Sequence, residues 1–187
     1  MKIILVTGGA RSGKSGYAEE LASRLSAEAA PGGARASSSG VTYIATAQVR
    51  DGEMARRVER HRSDRPSGWE TLEAPLAVAA ALGRARFPVV ILDCLTLLLS
   101  NHIEDGLDEA EVEARSRQAV TELLSAASHR EGELIVVTNE LGMGVVPAHP
   151  LGRWFRDAQG RANQALARRA HRVVFLVSGV PWVLKDG

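Results

Sequence analysis

A glycine-rich sequence directly after an apolar run near the start of the chain constrains the fold most. Residues 8–15 read Gly-Gly-Ala-Arg-Ser-Gly-Lys-Ser, which matches the pattern G-x-x-x-x-G-K-[ST]. The apolar run Lys2–Thr7 precedes it, and Ser15–Ser26, a helix candidate, follows it. Gly8 and Gly13 allow backbone conformations that turn consecutive N–H groups inward at a helix N-terminus, where they bind an anion. The sequence therefore predicts a strand, a phosphate-binding loop and a helix, in that order.

The last two residues of the motif extend the prediction from phosphate to a nucleoside triphosphate with its metal. In loops of this pattern the lysine contacts the β- and γ-phosphates, and the hydroxyl that follows coordinates Mg²⁺. An ordinary glycine-rich turn would not explain why Lys14 and Ser15 follow Gly13. The nucleotide-binding residues predicted from the motif are Gly8, Gly9, Ala10, Arg11, Ser12, Gly13, Lys14 and Ser15.

Strand and helix signals alternate along the rest of the chain. The predicted strands are Lys2–Thr7, Val41–Ala45, Val89–Asp93, Leu134–Thr138 and Arg172–Val177. The predicted helices are Ser15–Ser26, Asp51–His61, Pro75–Leu82, Asp108–Ser128 and Leu151–Ala170. The strands are near-continuous apolar runs, which is typical of strands covered on both faces. We therefore predict an α/β fold of the P-loop NTPase type, a three-layer sandwich with a mostly parallel central sheet and ligands at the carboxyl ends of its strands.

Length and composition favour one folded domain and exclude several classes of protein. The chain has 187 residues, 45% hydrophobic and 24% charged, so we predict a single domain over residues 1–187 and exclude a disordered chain. The Ala-, Gly- and Ser-rich stretch 27–40 is predicted to be a flexible connection. A net charge of +1 provides no bulk attraction to nucleic acid or to an anionic membrane.

Cysteine content and hydropathy predict where the protein is found. Cys94 is the single cysteine, so it cannot form an internal disulfide, which fits a reducing compartment. The sequence contains neither an apolar run of about 18 residues, as a membrane helix needs, nor the features of a signal peptide. We expect a soluble, cytoplasmic protein.

An acidic residue ends the apolar run Val89–Asp93. A carboxylate at the end of a buried strand is costly unless it has a cationic partner, and in a P-loop protein that partner is usually hydrated Mg²⁺. The alternative is that Asp93 caps the following helix. Ser15 and Asp93 are the predicted metal ligands, and Cys94 is predicted to be a small buried apolar residue.

The segment Asp51–Pro66 carries a cluster of arginines around His61, namely Arg56, Arg57, Arg60, Arg62 and Arg65. One interpretation is a solvated basic helix with a histidine near its C-terminus, where the helix dipole favours a cation. The other is catalytic, because neighbouring positive charge lowers the pKa of imidazole and leaves a neutral nitrogen nucleophile. Arginines also hold a triphosphate and balance charge on phosphorus. The residues alone leave both interpretations open.

A further candidate follows the predicted strand Leu134–Thr138. Glu140, in the sequence Asn139-Glu140-Leu141-Gly142, is hypothesised to position substrate or metal-bound water. The alternative is a structural loop anchored by Asn139. The remaining histidines are interpreted as surface residues: His102, His129, His149 and His171.

Six blocks together resemble one family, the bifunctional adenosylcobinamide kinases / adenosylcobinamide-phosphate guanylyltransferases of cobalamin biosynthesis. They cover nearly the whole chain in the family's order. The blocks are Ile4–Ser15, Tyr43–Ala47, Asp51–Pro66, Leu92–Thr96, Val137–Pro147 and Phe155–Gln164.

The resemblance implies two reactions at one nucleotide site. A nucleoside triphosphate, GTP or ATP, phosphorylates the hydroxyl of adenosylcobinamide, and GMP then passes from GTP through a histidine to adenosylcobinamide phosphate. The resemblance assigns that histidine to His61, and it implies a homotrimer. It extends the nucleotide contacts beyond the motif to Ala45, Thr46, Ala47, Arg62, Ser63, Asp64, Arg65, Glu73 and Asp93.

If one site serves both reactions, His61 must approach the α-phosphate during guanylyl transfer. During phosphorylation it must leave room for the acceptor beyond the γ-phosphate. We therefore hypothesise that Thr46–Pro66 moves to close over the triphosphate. Two alternatives remain: a kinase without guanylyltransferase activity, and a nucleotide-dependent switch that controls a partner. The guanine-reading Asn-Lys-x-Asp of GTPase switches is absent from the sequence.

Overall fold

The computed structural model describes residues 1–29, 40–48, 52 and 65–187. This part of the chain contains seven strands and five helices. The strands are β1 Lys2–Gly8, β2 Val41–Ala45, β3 Glu70–Glu73, β4 Val89–Asp93, β5 Glu133–Val137, β6 Arg172–Val177 and β7 Val180–Asp186. The helices are α1 Lys14–Glu28, α2 Val78–Arg84, α3 Leu95–Asn101, α4 Glu109–Ser128 and α5 Pro150–Arg169.

The strands form a single mostly parallel sheet in the order β3-β2-β4-β5-β1-β6-β7. Every pairing from β3 to β6 is parallel, and only β7 runs antiparallel, against β6. Strands β1 and β4 both neighbour β5, although they lie far apart in the chain. Because the strands are parallel, their carboxyl ends meet at one edge of the sheet, which is where ligands bind in such folds.

Two hydrophobic cores, one on each face of the sheet, produce the predicted three layers. One face packs Ile4, Val6 and Ile91 against Ala18 and Leu21 of α1. The other face packs the alternate strand residues against the remaining helices, with Leu5, Leu92, Val136, Leu99, Leu123 and Leu166 among its members. Neighbouring residues of one strand enter different cores because side chains alternate across a sheet. The prediction of an α/β P-loop-type sandwich is confirmed.

Helix α4 begins as the sequence predicts. The Asp108 side chain accepts a hydrogen bond from the Glu111 N–H, and the Glu111 side chain accepts one from the Asp108 N–H, each at 2.9 Å. This capping box satisfies two backbone donors that the first turn leaves without helical partners. The apolar face of α4 is buried at Val112, Val120 and Leu123.

Three elements and the bounds of two helices differ from the sequence prediction. Helix α2 covers Val78–Arg84 instead of the predicted Pro75–Leu82. Strand β3 is short and polar (Glu-Thr-Leu-Glu) and forms the edge beside β2, so it lacks the apolar run that identified the other strands. Strand β7 is exposed along its length, and α3 is buried on several sides, which hides helical periodicity. Helix α1 extends to Glu28, into the stretch 27–40 that was predicted to be a connection. Residues 30–39 and, apart from Gly52, the predicted helix Asp51–His61 lie outside the described residues.

Helices long and apolar enough to cross a bilayer are absent from the ranges that the structure describes.

Candidate functional site

The glycine-rich loop connects β1 to α1 with the backbone conformations that its glycines predict. Gly8 has a φ of 149° and Gly13 a φ of 92°, both in the range that favours glycine. A Cβ added to Gly8 would lie 2.5 Å from the carbonyl oxygen of Leu176, so this position excludes any side chain. Gly13 is the N-cap of α1, and no side chain among the described residues caps that helix. The N-terminal N–H groups of α1 are therefore left for an anion.

Lys14 is the buried cation of this loop. Its side chain is 7% exposed, and its Nζ donates hydrogen bonds to the carbonyl oxygen of Gly9 and, at 3.4 Å, to Ser12 Oγ. Folding the amine over the loop in this way places a positive charge beside the N-terminus of α1. Both features attract the phosphates of a nucleotide.

Backbone hydrogen bonds tie the loop to the two neighbouring strand ends. The Glu140 N–H, after β5, donates to the carbonyl oxygen of Gly8 at 3.1 Å. The Gly179 N–H, between β6 and β7, donates to the carbonyl oxygen of Ser12 at 3.0 Å. The loop is thus held from both sides, which fixes the phosphate site before a ligand binds.

Strand register brings distant site residues into one row. Glu73 of β3 pairs with Ala45 of β2, Ala45 pairs with Asp93 of β4, and Asp93 pairs with Val137 of β5. Val137 pairs in turn with Val6, two residues before Gly8. Glu73, Ala45 and Asp93, which the family resemblance assigned to nucleotide binding, therefore lie at the same edge of the sheet as the phosphate loop.

Asp93 is bound by a side chain that the sequence analysis missed. The Tyr43 hydroxyl donates a 2.6 Å hydrogen bond to Asp93 Oδ2. Burial has the largest effect on the pKa of Tyr43, and the charge of Asp93 has the next largest. Both raise the pKa well above its ordinary value, so the phenol keeps its proton and donates it in this hydrogen bond. The N-cap of α3 is Cys94, without a side-chain cap among the described residues, so Asp93 does not cap that helix. The sequence does contain a signal for this contact, because the hydroxyl of a tyrosine within a buried strand needs a hydrogen-bond partner.

Arg65 lies on the other side of the same tyrosine. Its guanidinium carbon is 3.4 Å from the centroid of the Tyr43 ring, and its Nη1 donates to Thr71 Oγ1 at 3.2 Å. The buried Nε has no hydrogen-bond partner among the described residues. A buried donor of this kind is costly unless a ligand or water accepts from it, so Arg65 suits a phosphate oxygen.

Thr46 is part of the framework of the site. It is fully buried, and its Oγ1 both donates to the Cys94 carbonyl oxygen and accepts from the Cys94 N–H, each at 2.8 Å. Asn101 donates to the Thr46 carbonyl oxygen at 2.8 Å. The movement hypothesised for Thr46–Pro66 cannot include Thr46 without breaking these contacts. His61, Arg62, Ser63 and Asp64 lie outside the described residues.

Cys94 is buried as the sequence predicts. It is 8% exposed, and burial together with the charge of Asp93 raises the pKa of its thiol to about 11. The thiolate, not the thiol, is the nucleophile, so a raised pKa makes Cys94 unreactive.

The oxygen donors at this edge suit Mg²⁺. Magnesium is usually held by one or two protein oxygens, with substrate phosphates and water completing the octahedron. The Ser15 hydroxyl in the first turn of α1 and the half-buried Asp93 carboxylate match that donor set. Groups of three or more His, Cys, Asp or Glu that could hold a metal are absent from the described ranges.

Comparison with known families bears directly on this site. The sequence model of the family described as "Cobinamide kinase / cobinamide phosphate guanyltransferase" matches residues 4–184. The chain belongs to this family. The match begins within β1, four residues before Gly8, and continues into β7, so it includes the whole sheet edge described above.

Three curated proteins of adenosylcobalamin biosynthesis are similar to the chain over nearly their full length. The chain is 44% identical to the bifunctional adenosylcobalamin biosynthesis protein CobP of Pseudomonas aeruginosa, over 97% of this chain and 96% of that protein. It is 39% identical to the bifunctional adenosylcobalamin biosynthesis protein CobU of Escherichia coli, over 95% and 97%. It is 37% identical to the protein of that name from Salmonella typhimurium, also over 95% and 97%.

The loop after β5 is anchored by side chains of α5. Gln159 Nε2 donates to Thr138 Oγ1 at 3.0 Å, Thr138 Oγ1 donates to Asn163 Oδ1 at 2.8 Å, and Asn163 Nδ2 donates to the Asn139 carbonyl oxygen at 3.0 Å. This network explains why the Phe155–Gln164 block accompanies the Val137–Pro147 block: it holds the strand end beside the phosphate loop.

The hydrogen bonds of the loop after β5 bear on its two interpretations, a positioning role for Glu140 and a structural loop anchored by Asn139. The Asn139 backbone is anchored at both its groups, because its N–H also donates to Thr96 Oγ1 at 3.0 Å. Glu140 Oε1 accepts from the Gly142 N–H at 2.7 Å, within its own turn. These contacts support the structural interpretation. Beyond them the loop presents three exposed apolar side chains, Met143, Val145 and Val146.

Proposed function

We propose that the protein carries out both reactions that the description of its family names, at a single nucleotide site. The first is transfer of the γ-phosphoryl group of GTP or ATP to the hydroxyl of adenosylcobinamide. The second is transfer of GMP from GTP to adenosylcobinamide phosphate, which gives adenosylcobinamide-GDP and pyrophosphate. The observation that carries the proposal is the register row, which brings Asp93, Ala45 and Glu73 to the edge that holds the phosphate loop.

In the phosphorylation, the phosphate loop holds the β- and γ-phosphates while the acceptor oxygen attacks the γ-phosphorus. The bond from the γ-phosphorus to the bridging oxygen breaks, and the nucleoside diphosphate leaves in the loop. Lys14 and the N–H groups at the start of α1 balance the charge that develops on the leaving oxygens. When bound by Ser15 and Asp93, Mg²⁺ supplies further neutralisation of phosphate charge.

In the guanylyl transfer, the same loop holds the two phosphates that leave as pyrophosphate. A neutral imidazole nitrogen of His61 attacks the α-phosphorus, and the bond from that phosphorus to the β-bridging oxygen breaks. A phosphate oxygen of adenosylcobinamide phosphate then attacks the same phosphorus and breaks its bond to the imidazole nitrogen. Two displacements replace one difficult transfer. Arg62, Ser63, Asp64 and Arg65 are proposed to contact the triphosphate during this reaction.

GTP labelled at the α-phosphate tests this function against the two alternatives. The unsubstituted protein is expected to acquire a label that survives denaturation, is lost in acid and is stable in base, and to pass it to adenosylcobinamide phosphate. Phosphorylation of adenosylcobinamide without labelling of the chain would favour a kinase alone. Tight binding of triphosphate without turnover of either corrinoid substrate would favour a nucleotide-dependent switch.

We also propose that the protein is a homo-oligomer, a trimer by family resemblance, and that it is cytoplasmic. Strand β7 supports association, because it is an edge strand whose large apolar side chains are exposed: 67% for Val180, 64% for Trp182 and 53% for Leu184. An exposed edge of this kind is stabilised by covering it with another chain. Cys94, the single cysteine, agrees with a reducing compartment.

Replacing Trp182 by glutamate should reduce the oligomer to the monomer, because a carboxylate in an apolar contact is costly. Light scattering after size-exclusion chromatography measures the mass of both proteins. Leu76→Glu, at another exposed apolar residue, is the matched control and should leave the mass unchanged. A monomeric parent protein, or an oligomer that survives Trp182→Glu, would contradict an interface on β7.

A further inference from the structure

Tyr43 joins two residues that belong to different parts of the proposed mechanism. Its hydroxyl donates to Asp93 Oδ2 at 2.6 Å, and its ring carries the Arg65 guanidinium at 3.4 Å. Asp93 is the proposed metal ligand, whereas Arg65 ends the segment that contains the proposed nucleophile. Neither the sequence analysis nor the family description gives Tyr43 a role.

Strand register explains how one side chain reaches both partners. Tyr43 pairs with Thr71 on one side and with Ile91 on the other, so Asp93, two residues after Ile91, is its diagonal neighbour on the same face. Arg65 bonds Thr71, the partner of Tyr43, and therefore bridges β3 and β2. Tyr43 is 2% exposed, so the surrounding core restricts the position of its ring.

We propose that Tyr43 is a positioning residue that holds the side chains of Arg65 and Asp93 in a fixed geometry. It thereby links the end of the segment Asp51–Pro66, which contains His61, to the carboxylate proposed to bind the metal. This inference rests on the proposed function. The hydrogen bond occupies Oδ2 and orients the carboxylate, so that Oδ1 would remain available to hold Mg²⁺. The ring supports the guanidinium by a cation–π contact inside a buried site, where such contacts are strong.

The position of Arg65 also limits the reach of the nucleophile. His61 precedes Arg65 by four residues, and a fully extended chain of that length covers at most about 14 Å. Holding the Arg65 side chain on Tyr43 therefore anchors one end of the short segment that leads to His61. Loss of this support should reduce guanylylation more than phosphorylation, because only guanylylation uses His61.

Two substitutions at Tyr43 separate its two contacts. Tyr43→Phe keeps the ring and removes the hydroxyl, so it should raise the Mg²⁺ concentration needed for half-maximal binding of a fluorescent GTP analogue by about tenfold, and lower both activities equally. Tyr43→Leu removes the ring as well, so the ratio of guanylylation to phosphorylation should fall by a further factor of about ten. Tyr17→Phe, at the other tyrosine, should change neither quantity.

Arg65→Gln tests the same contact without altering the buried core, which keeps the proposal testable where Tyr43→Leu fails to fold. It should lower the ratio of guanylylation to phosphorylation as Tyr43→Leu does. The double variant should fall no further than the larger single effect, since both substitutions remove one contact. Additive losses would overturn the proposed link between the two residues.

Nucleotide binding separates failure of this inference from failure of the proposed function. A raised Mg²⁺ requirement in Tyr43→Phe would support positioning of Asp93 even where the unsubstituted protein acquired no label from GTP. A labelled protein whose Tyr43→Phe variant bound Mg²⁺ and nucleotide normally, and whose Tyr43→Leu variant kept the activity ratio, would overturn the inference and leave the proposed function intact.

Discussion

Replacing Lys14 by alanine is expected to abolish both reactions. The amine lies over the phosphate loop, bonded to the carbonyl oxygen of Gly9 and to Ser12 Oγ, where its charge meets the phosphates that both transfers release or move. Removing one preorganised group that stabilises developing charge costs about a hundred- to a thousandfold in rate. Phosphorylation of adenosylcobinamide and transfer of GMP, measured separately with labelled GTP, should fall together by at least this factor.

Lys2→Ala is the matched control, because Lys2 is exposed at the first position of β1, the opposite end of the strand from the loop. It should keep both activities. Thermal unfolding would establish that Lys14→Ala is folded, since the change leaves the Gly9 carbonyl without its bond from the lysine. Survival of either reaction in a folded Lys14→Ala protein would show that the two reactions use different nucleotide sites.

Replacing His61 by alanine is expected to separate the two reactions. Without the imidazole, the nitrogen–phosphorus bond cannot form, so α-labelled GTP should leave no label on the chain and no GMP should reach adenosylcobinamide phosphate. Phosphorylation takes place at the γ-phosphorus and does not use this nitrogen, so it should stay within a few-fold of the parent rate. Autoradiography of the denatured chain and analysis of the corrinoid products measure the two outcomes.

His149→Ala is the control for this experiment, because His149 is exposed at the start of α5. It should label as the parent protein does. A label that persists in His61→Ala would move the nucleophile to another residue. Loss of phosphorylation along with the label would show that His61 serves both reactions, and the proposed division of roles would then be wrong.

Local signals were enough to predict the glycine-rich loop and the elements on either side of it. The conformations of Gly8 and Gly13 and the start of α1 depend on residues close together in the chain. Apolar runs identified β1, β2, β4, β5 and β6, because strands covered on both faces must be apolar throughout. Strands β3 and β7 escaped prediction because they lie at the edges of the sheet, where polar or exposed residues are tolerated.

Site residues were predicted unevenly. Asp93 was found because a carboxylate ending an apolar run needs a partner, and its place beside β2 and β5 agrees with a role at the strand ends. Thr46 was assigned to the nucleotide by resemblance, and the structure adds that its side chain is bonded to Cys94. The anchoring of Asn139 by Asn163 was not predicted, because α5 follows the loop by many residues.

The sequence by itself determined the phosphate loop, the parallel sheet and the family, because each of these depends on short motifs or on the alternation of apolar segments. Only the tertiary structure decided that Tyr43 meets both Asp93 and Arg65. Tyr43 and Asp93 are 50 residues apart, and their contact exists because β2 and β4 are neighbours in a particular register. Periodicity shows that a segment is a strand, but strand order and register come from packing of the whole domain.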